Sequence, residues 1–227
     1  VSALSQWLGV ELDEVSLKEK LISAVGGFVA ILGVLAVSEL ALGLEGAEML
    51  IGSMGASAVL LFAVPHGPLS QPWAALAGHL VSAFIGVTCA MLVSPTELAA
   101  ALAVALAIGV MHLCRCIHPP GGATAITAVI GGSAVTDLGY AFVWRPVMLN
   151  ALTIALVAVL FNALFPWRRY PAHLVRRRRI AMATVGEPGL PSHEEVVAAL
   201  RSLDSFIDVS EDDLVHLYRI LSAPPRT

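Results

Sequence analysis

The chain has 227 residues, 57% of them hydrophobic and only 13% charged, against roughly 25% charged in an average soluble domain. Its net charge of -4 describes no single surface, because nine of the 13 basic residues lie beyond position 167. An ordinary water-soluble globule is excluded, a disulfide framework is excluded by an odd set of cysteines in apolar surroundings (Cys89, Cys114, Cys116), and nucleic-acid binding has no support beyond one arginine run.

Residues 1–19 are mixed, with Trp7, Leu8, Val10 and Leu12 against Glu11, Asp13 and Glu14, and read as an interfacial lead-in. No charged-then-apolar leader precedes the first apolar segment, so no cleavable signal peptide is expected, and a chain opening on Val1 reads as a processed product or a fragment. Six apolar segments follow, at 20–43, 48–64, 72–93, 97–116, 119–135 and 142–165. A spanning helix needs about 20 apolar residues. The first, third, fourth and sixth segments satisfy this. The second and fifth are short and interrupted by Gly52 and Gly55, and by Gly121, Gly122, Gly131 and Gly132. None has the polar face of a helix in water. The fold class is therefore all-α, a polytopic transmembrane helical bundle in a lipid bilayer.

Within the third segment Ala74, Gly78, Ser82, Gly86 and Ala90 recur every four residues, a stripe that lets helix backbones approach closely in lipid. Its partner helix lies in this chain or in a second protomer. Trp73, Trp144 and Trp167 fall at segment edges, where indoles favour the headgroup layer. Residues 168–191 read as a basic cytoplasmic linker, whose run Arg176 to Arg179 acts as a stop-transfer and anionic-lipid contact. Residues 192–227 hold two capping boxes, Ser192 with Glu195 and Ser210 with Asp213, each opening an amphipathic helix of a hairpin.

Orientation follows the basic residues. Lys18 and Lys20 precede the membrane domain at 20–167, and Arg168 and Arg169 follow it, so both ends are expected in the cytoplasm of a bacterial inner-membrane protein. That requires an even number of crossings: six, or four with the two short segments re-entrant. Six leaves the 94–97 turn, free of Lys and Arg, outside.

The short segments resemble one another. Residues 55–58 read GASA and residues 122–125 read GATA, each between two long segments, and the third members open on Gln71-Pro72 and Arg145-Pro146. The chain thus reads as two long–short–long repeats of opposite topology, with broken helices at segments two and five. Such interruptions at corresponding positions point to a transporter's midplane site. Pro119-Pro120 ends one helix and starts the next. The amides from Gly121 to Thr124, and those from Met54 to Ser57, are then expected at two opposed helix N-termini, where partial positive charge favours an anion. Ser53, Gly55, Ser57 and Thr124 complete this cradle, and Arg115, one turn before His118, adds a full charge or pairs with Asp137, Glu97 or free carbonyls.

The stretches RCIHPPGGATA, MGASAVLLFAVPHGPLSQPW and RPVMLNAL resemble the HPP family of integral membrane proteins over about residues 20–170. Members in cyanobacteria and chloroplasts are regarded as nitrite transporters. The resemblance implies a transporter or channel for a small anion, nitrite first, with His118, Pro119, Pro120, Gly121 and Gly122 as the motif and Arg115 before it. In some relatives a stretch like the C-terminal hairpin leads into paired CBS domains that bind adenine nucleotides; none is read here.

The spacing His112-x-Cys114-x-Cys116-x-His118 suggests metal, but a helix divides these ligands between two faces, leaving at most a two-ligand copper site from His112 and Cys116. No resident metal or cofactor is expected. His79 and His112 are candidates for proton coupling. Asn150 is expected to hydrogen-bond across helices, and Glu39, with Glu45 and Glu48, to be wetted. Ser53 or Ser57 beside His118 lacks the motifs of a hydrolase, so no enzyme is expected. A membrane-anchored sensor is the other class. A homodimer is expected, to complete the buried surface.

Overall fold

The structure is a computed structural model that describes residues 15–42 and 51–174. Most of the lead-in, Glu45, Glu48, the arginine run and the C-terminal hairpin lie outside the described residues.

Among the described residues every element is helical. Helix α1 spans Leu17–Leu42, α2 spans Ile51–Ala63, α3 spans Pro72–Leu92 and α4 spans Thr96–Leu113. A short α5, Pro120–Ile130, and a single turn α6, Ser133–Thr136, lead to α7, Leu149–Ala163. A π-helical stretch, Val143–Met148, runs directly into α7 and contains Pro146. Proline has no N–H to donate and crowds the carbonyl four residues back, so the ladder widens there instead of closing normally. Pro146 therefore lies inside a helix, whereas Pro72 sits at the start of α3.

Among the described residues four helices are long and apolar enough to cross a bilayer: Leu17–Leu40, Pro72–Leu92, Thr96–Leu113 and Val143–Ala163. The radial distribution of side-chain size is that of a membrane protein. Small residues such as Ala30, Ala83, Ala99, Ala103, Ala107 and Ala158 fill the interior, while Phe28, Leu32, Leu106, Leu156 and Leu160 stand exposed. In lipid an exposed leucine loses nothing, and close backbone packing is the gain.

The bundle has two lobes. Ala30 and Val34 of α1 pack with Met54, Ala58 and Leu61 of α2 and Ile154 and Ala158 of α7. Ala77 and Cys89 of α3 pack with Ala99, Ala103 and Ala107 of α4 and Ala125 and Val129 of α5. In the first lobe α7 closes on α1 and α2 from the far end of the sequence; in the second, α3 closes on α4 and α5, the two helices that follow it. The lobes meet where α2 touches α5 and where α3 packs on the π-helical stretch and α7.

The small-residue stripe of α3 finds its partner inside the chain. A Cβ on Gly86 would stand 2.6 Å from Ala125 O and from Ala128 Cβ, and a Cβ on Gly78 would stand 2.6 Å from His118 Cβ. Asn150 accepts the Ser38 hydroxyl at 2.8 Å, a bond between α7 and α1. Glu39 is exposed.

One feature differs from the expected basic linker. Arg168 is buried rather than solvated, and it pairs with Glu19, itself buried in the first turn of α1. The guanidinium also donates to Asn162 Oδ1 at 3.1 Å and to the carbonyl of Phe62 near the end of α2. Trp167 adds an N–H to the other Glu19 carboxylate oxygen at 3.0 Å, with Lys18 Nζ 4.3 Å above its ring. The start of α1, the end of α2 and the end of α7 are thus tied at one end of the bundle. The sequence segregates positive charge here, but only the fold supplies the carboxylate that makes burial tolerable.

Candidate functional site

Where α2 meets α5, four polar side chains form a continuous chain with no exposure: Ser57, His79, His118 and Thr124 are each 0% accessible. Ser57 Oγ lies 2.9 Å from His79 Nε2 and 2.9 Å from His118 Nε2. His79 Nδ1 lies 2.8 Å from Thr124 Oγ1. His118 Nδ1 lies 2.9 Å from the carbonyl of Leu69. The two rings meet edge to face, with centroids 4.9 Å apart.

Each member is positioned by a local feature. Ser57 sits in the second turn of α2, six residues after the helix begins. Thr124 occupies the matching place in GATA, on the first turns of α5. His79 projects from α3, on the same face as Ser82 and Gly86 at three- and seven-residue spacing. Gly78 and Gly121 remove the side chains that would hold α3 and α5 apart; a Cβ on Gly121 would stand 2.6 Å from Ser82 Oγ. The Leu69 carbonyl comes from the loop after α2. That loop is fixed by Gln71 Nε2 donating to Pro65 O and Gly67 O, and by Tyr170 Oη donating to Ser70 O at 2.7 Å.

The expected anion cradle of free amides is not what the structure contains. Gly121 N–H donates to His118 O at 2.8 Å and Gly122 N–H to Pro119 O at 3.0 Å, so both are occupied. The other half fails for a different reason. Helix α2 starts at Ile51, which places Gly55 and Ser57 inside the helix, where their amides serve the helical ladder. The two short helices do converge, but through side-chain hydroxyls and imidazoles. Ser53 is buried, and its carbonyl lies 3.1 Å from Ser57 Oγ. Gly55 and Gly122 are half-buried with nothing near their missing Cβ atoms. Pro119 is exposed and Pro120 buried at the start of α5.

Arg115 lies outside the cluster, and its side chain is exposed. Helix α4 ends at Leu113, earlier than expected, because Arg115 takes the left-handed conformation at φ 54°. Its N–H bonds His112 O at 3.1 Å and Cys116 N–H bonds Met111 O at 2.9 Å, the two bonds of a Schellman stop. No ion pair other than Arg168 with Glu19 occurs among the described residues, so Asp137 and Glu97 do not hold Arg115. A non-glycine residue at this conformation is strained by about 1 kcal/mol. Arg115→Gly is therefore expected to raise the thermal midpoint in detergent, by up to about 1 kcal/mol of stability.

The early stop also separates His112 from Cys116. His112 is exposed on α4, while Cys116 is buried beyond its end, so the shared helical face of a two-ligand copper site is absent. Among the described residues no group of three metal-ligating side chains gathers. His66 lies at the edge, its Nε2 3.2 Å from Arg169 O. Ser57 and His118 stand as a nucleophile and base would, but the neighbouring Gly121 and Gly122 amides are not free to stabilise an oxyanion. The chemistry the cluster can perform is the sharing and relocation of protons. Sequence reasoning missed the Leu69 carbonyl altogether, and a backbone acceptor in a loop carries no residue-type signal.

Compared with known proteins, the chain is similar to two transmembrane proteins of Dictyostelium discoideum. One is 43% identical over 126 residues, 54% of this chain and 40% of the relative. The other is 39% identical over 130 residues, 56% of this chain and 45% of the relative. The matched region thus spans less than half the length of these curated relatives. No solved structure matches. Residues 12–171 match the family described as HPP, transmembrane region. That match takes in the seven helices of the described residues and both halves of the buried cluster, and the chain is a membrane protein belonging to the HPP family.

Proposed function

We propose that this domain transports a small inorganic anion, nitrite first, across a bacterial inner membrane. The observation that carries the reading is the buried Ser57–His79–His118–Thr124 chain at the meeting of two short helices. Polar side chains inside apolar helices are expensive and characteristically mark a substrate path. The groups are hydroxyls and imidazoles, which can donate hydrogen bonds, and α2, α3 and α5, which hold the cluster, carry no carboxylate, which favours an anion over a cation. The resemblance to nitrite-transporting members of the family points the same way.

The packing pattern supports an inverted repeat. The third helix of each triplet closes on the first two of the other, and Ser57 and Thr124, matched in the repeat, both bind His79. The start of α1 and the end of α7 meet at Glu19 and Arg168, which fits six crossings with both ends on one face. Lys18, Lys20 and Arg169, all exposed, favour the cytoplasm for that face. The cluster is closed to both sides, so a carrier that opens alternately suits it better than a permanently open pore. The proposed assembly is a homodimer, to be checked by cross-linking in native membranes.

Nitrite uptake into proteoliposomes tests the proposal. Wild-type vesicles are expected to outpace protein-free ones, and His118→Gln or Ser57→Ala to slow uptake by about 100-fold at unchanged detergent elution. Uptake no faster than in protein-free vesicles overturns the anion reading. Copper uptake in its place would favour the metal alternative, and no flux of either would favour a sensor.

A further inference from the structure

The hydrogen bonds of the cluster determine where each of its protons sits. A carbonyl oxygen only accepts, so the contact of His118 Nδ1 with Leu69 O requires a proton on Nδ1. In a neutral imidazole Nε2 then accepts, so the Ser57 hydroxyl donates to His118. Ser57 has one proton to give, so His79 must donate its Nε2–H to Ser57 Oγ. That leaves His79 Nδ1 as the acceptor of the Thr124 hydroxyl. The four bonds run in one direction, from Thr124 through His79, Ser57 and His118 to Leu69, and the two histidines are opposite tautomers.

The same geometry has a place for one more proton. If His118 Nε2 becomes protonated, it donates to Ser57 Oγ, and the Ser57 hydroxyl turns to the Ser53 carbonyl 3.1 Å away. If His79 Nδ1 becomes protonated, it donates to Thr124 Oγ1, and the Thr124 hydroxyl turns to the Pro120 carbonyl 3.4 Å away. In neither case is a donor or acceptor left without a partner. A proton on His79 also has a route: Nε2–H passes to Ser57, whose own proton passes to His118. There the relay ends, because the Leu69 carbonyl cannot take a proton onward. The cluster stores a proton without conducting it through.

The one buried ion pair among the described residues, Glu19 with Arg168, closes on itself at one end of the bundle. Helices α2, α5 and α7 and the Pro68–Ser70 turn carry no ionisable side chain. On the other elements packed nearby, Glu97, His112, Arg115 and Arg145 are exposed, and Cys89 and Cys116 are the buried thiols.

We infer that Ser57, His79, His118 and Thr124 form an occluded binding site for a single proton, the co-substrate of the domain. The coupling of that proton to an anion rests on the transport reading above; the site itself does not. When the site opens, a hydronium ion gives its proton to an imidazole nitrogen and leaves as water, and opening to the other face returns the proton to water. An anion moving with the proton crosses without net charge.

Two measurements on the intact protein decide this. The first is ring-nitrogen NMR of 15N-histidine-labelled protein in nanodiscs. His79 is expected to carry its proton on Nε2 and His118 on Nδ1. On acidification while folded, one ring of the pair becomes doubly protonated and the other does not, since the rings are too close to hold two charges. Matching tautomers, or two rings that both charge or both stay neutral until unfolding, overturn the site. The second is proton movement, read by a luminal pH dye during nitrite uptake. Proton entry with nitrite, lost in Thr124→Val, supports coupling. Nitrite flux without proton movement overturns the coupling and leaves transport standing. Absence of nitrite flux overturns the transport reading, and the NMR result still decides the proton site.

Discussion

Replacing Arg168 by alanine is expected to destabilise the protein by about 3–5 kcal/mol, the usual effect of removing one partner of a buried ion pair. Burial draws the Arg168 guanidinium below its ordinary value, to about 10, so it is still charged at neutral pH and still matched to Glu19. Its loss leaves the Glu19 carboxylate buried with only the Trp167 N–H, and it strips the Phe62 carbonyl and Asn162 Oδ1 of a donor. Arg168→Lys is expected to recover little, because one ammonium cannot reproduce a planar fork that reaches Glu19, Asn162 and Phe62 together. The double change Arg168→Met with Glu19→Leu removes both charges and is expected to be milder than Arg168→Ala alone. Thermal unfolding in detergent, followed by tryptophan fluorescence, reads all three. A loss in Arg168→Ala under about 1 kcal/mol would be the behaviour of a solvent-screened pair and would contradict the buried latch.

Gly78→Ala is the second large effect. The new methyl would lie 2.6 Å from His118 Cβ and 3.0 Å from Cys116 O, so either α3 retreats or His118 moves. Overpacking of this kind typically costs about 1–3 kcal/mol. Here it also breaks the 2.9 Å bonds of His118 to Ser57 and Leu69, and nitrite uptake is expected to fall by about 100-fold. Gly86→Ala is the comparison. It meets Ala125 O and Ala128 Cβ at 2.6 Å, farther along the same interface, without touching His118. Both variants should lower the thermal midpoint; only Gly78→Ala should disturb the His118 ring signals in NMR. Equal loss of transport at equal stability in the two would show that helix separation, not the histidine, is what matters.

The candidate site was half legible. The GASA and GATA stretches led to Ser57 and Thr124, and the His-Pro-Pro stretch led to His118; all three meet in one cluster. His79 stood out as a proton-coupling candidate, but nothing in the sequence tied it to Ser57 or Thr124, although its place three residues before Ser82 puts it on a small-residue face. Arg115 misled because a charge inside an apolar run ordinarily signals function, while here it ends a helix in a left-handed turn. Helix N-termini misled too. The rule that a starting helix has free amides holds only where the preceding carbonyls stay away, and the His118 and Pro119 carbonyls fold back onto Gly121 and Gly122.

By itself the sequence determined that the chain is a helical membrane protein, where its helices start and stop to within a few residues, and which small residues would pack. Those properties are local: apolar length, proline and glycine punctuation, and a four-residue stripe each act within a turn or two of the chain. Only the tertiary structure decided that Ser57 would meet a histidine 22 residues away and another 61 away, and that Glu19 would pair with a residue 149 positions later. Such pairings leave no periodicity behind. They exist because buried polar groups in hydrocarbon must find one another, and which ones do so depends on how the helices cross.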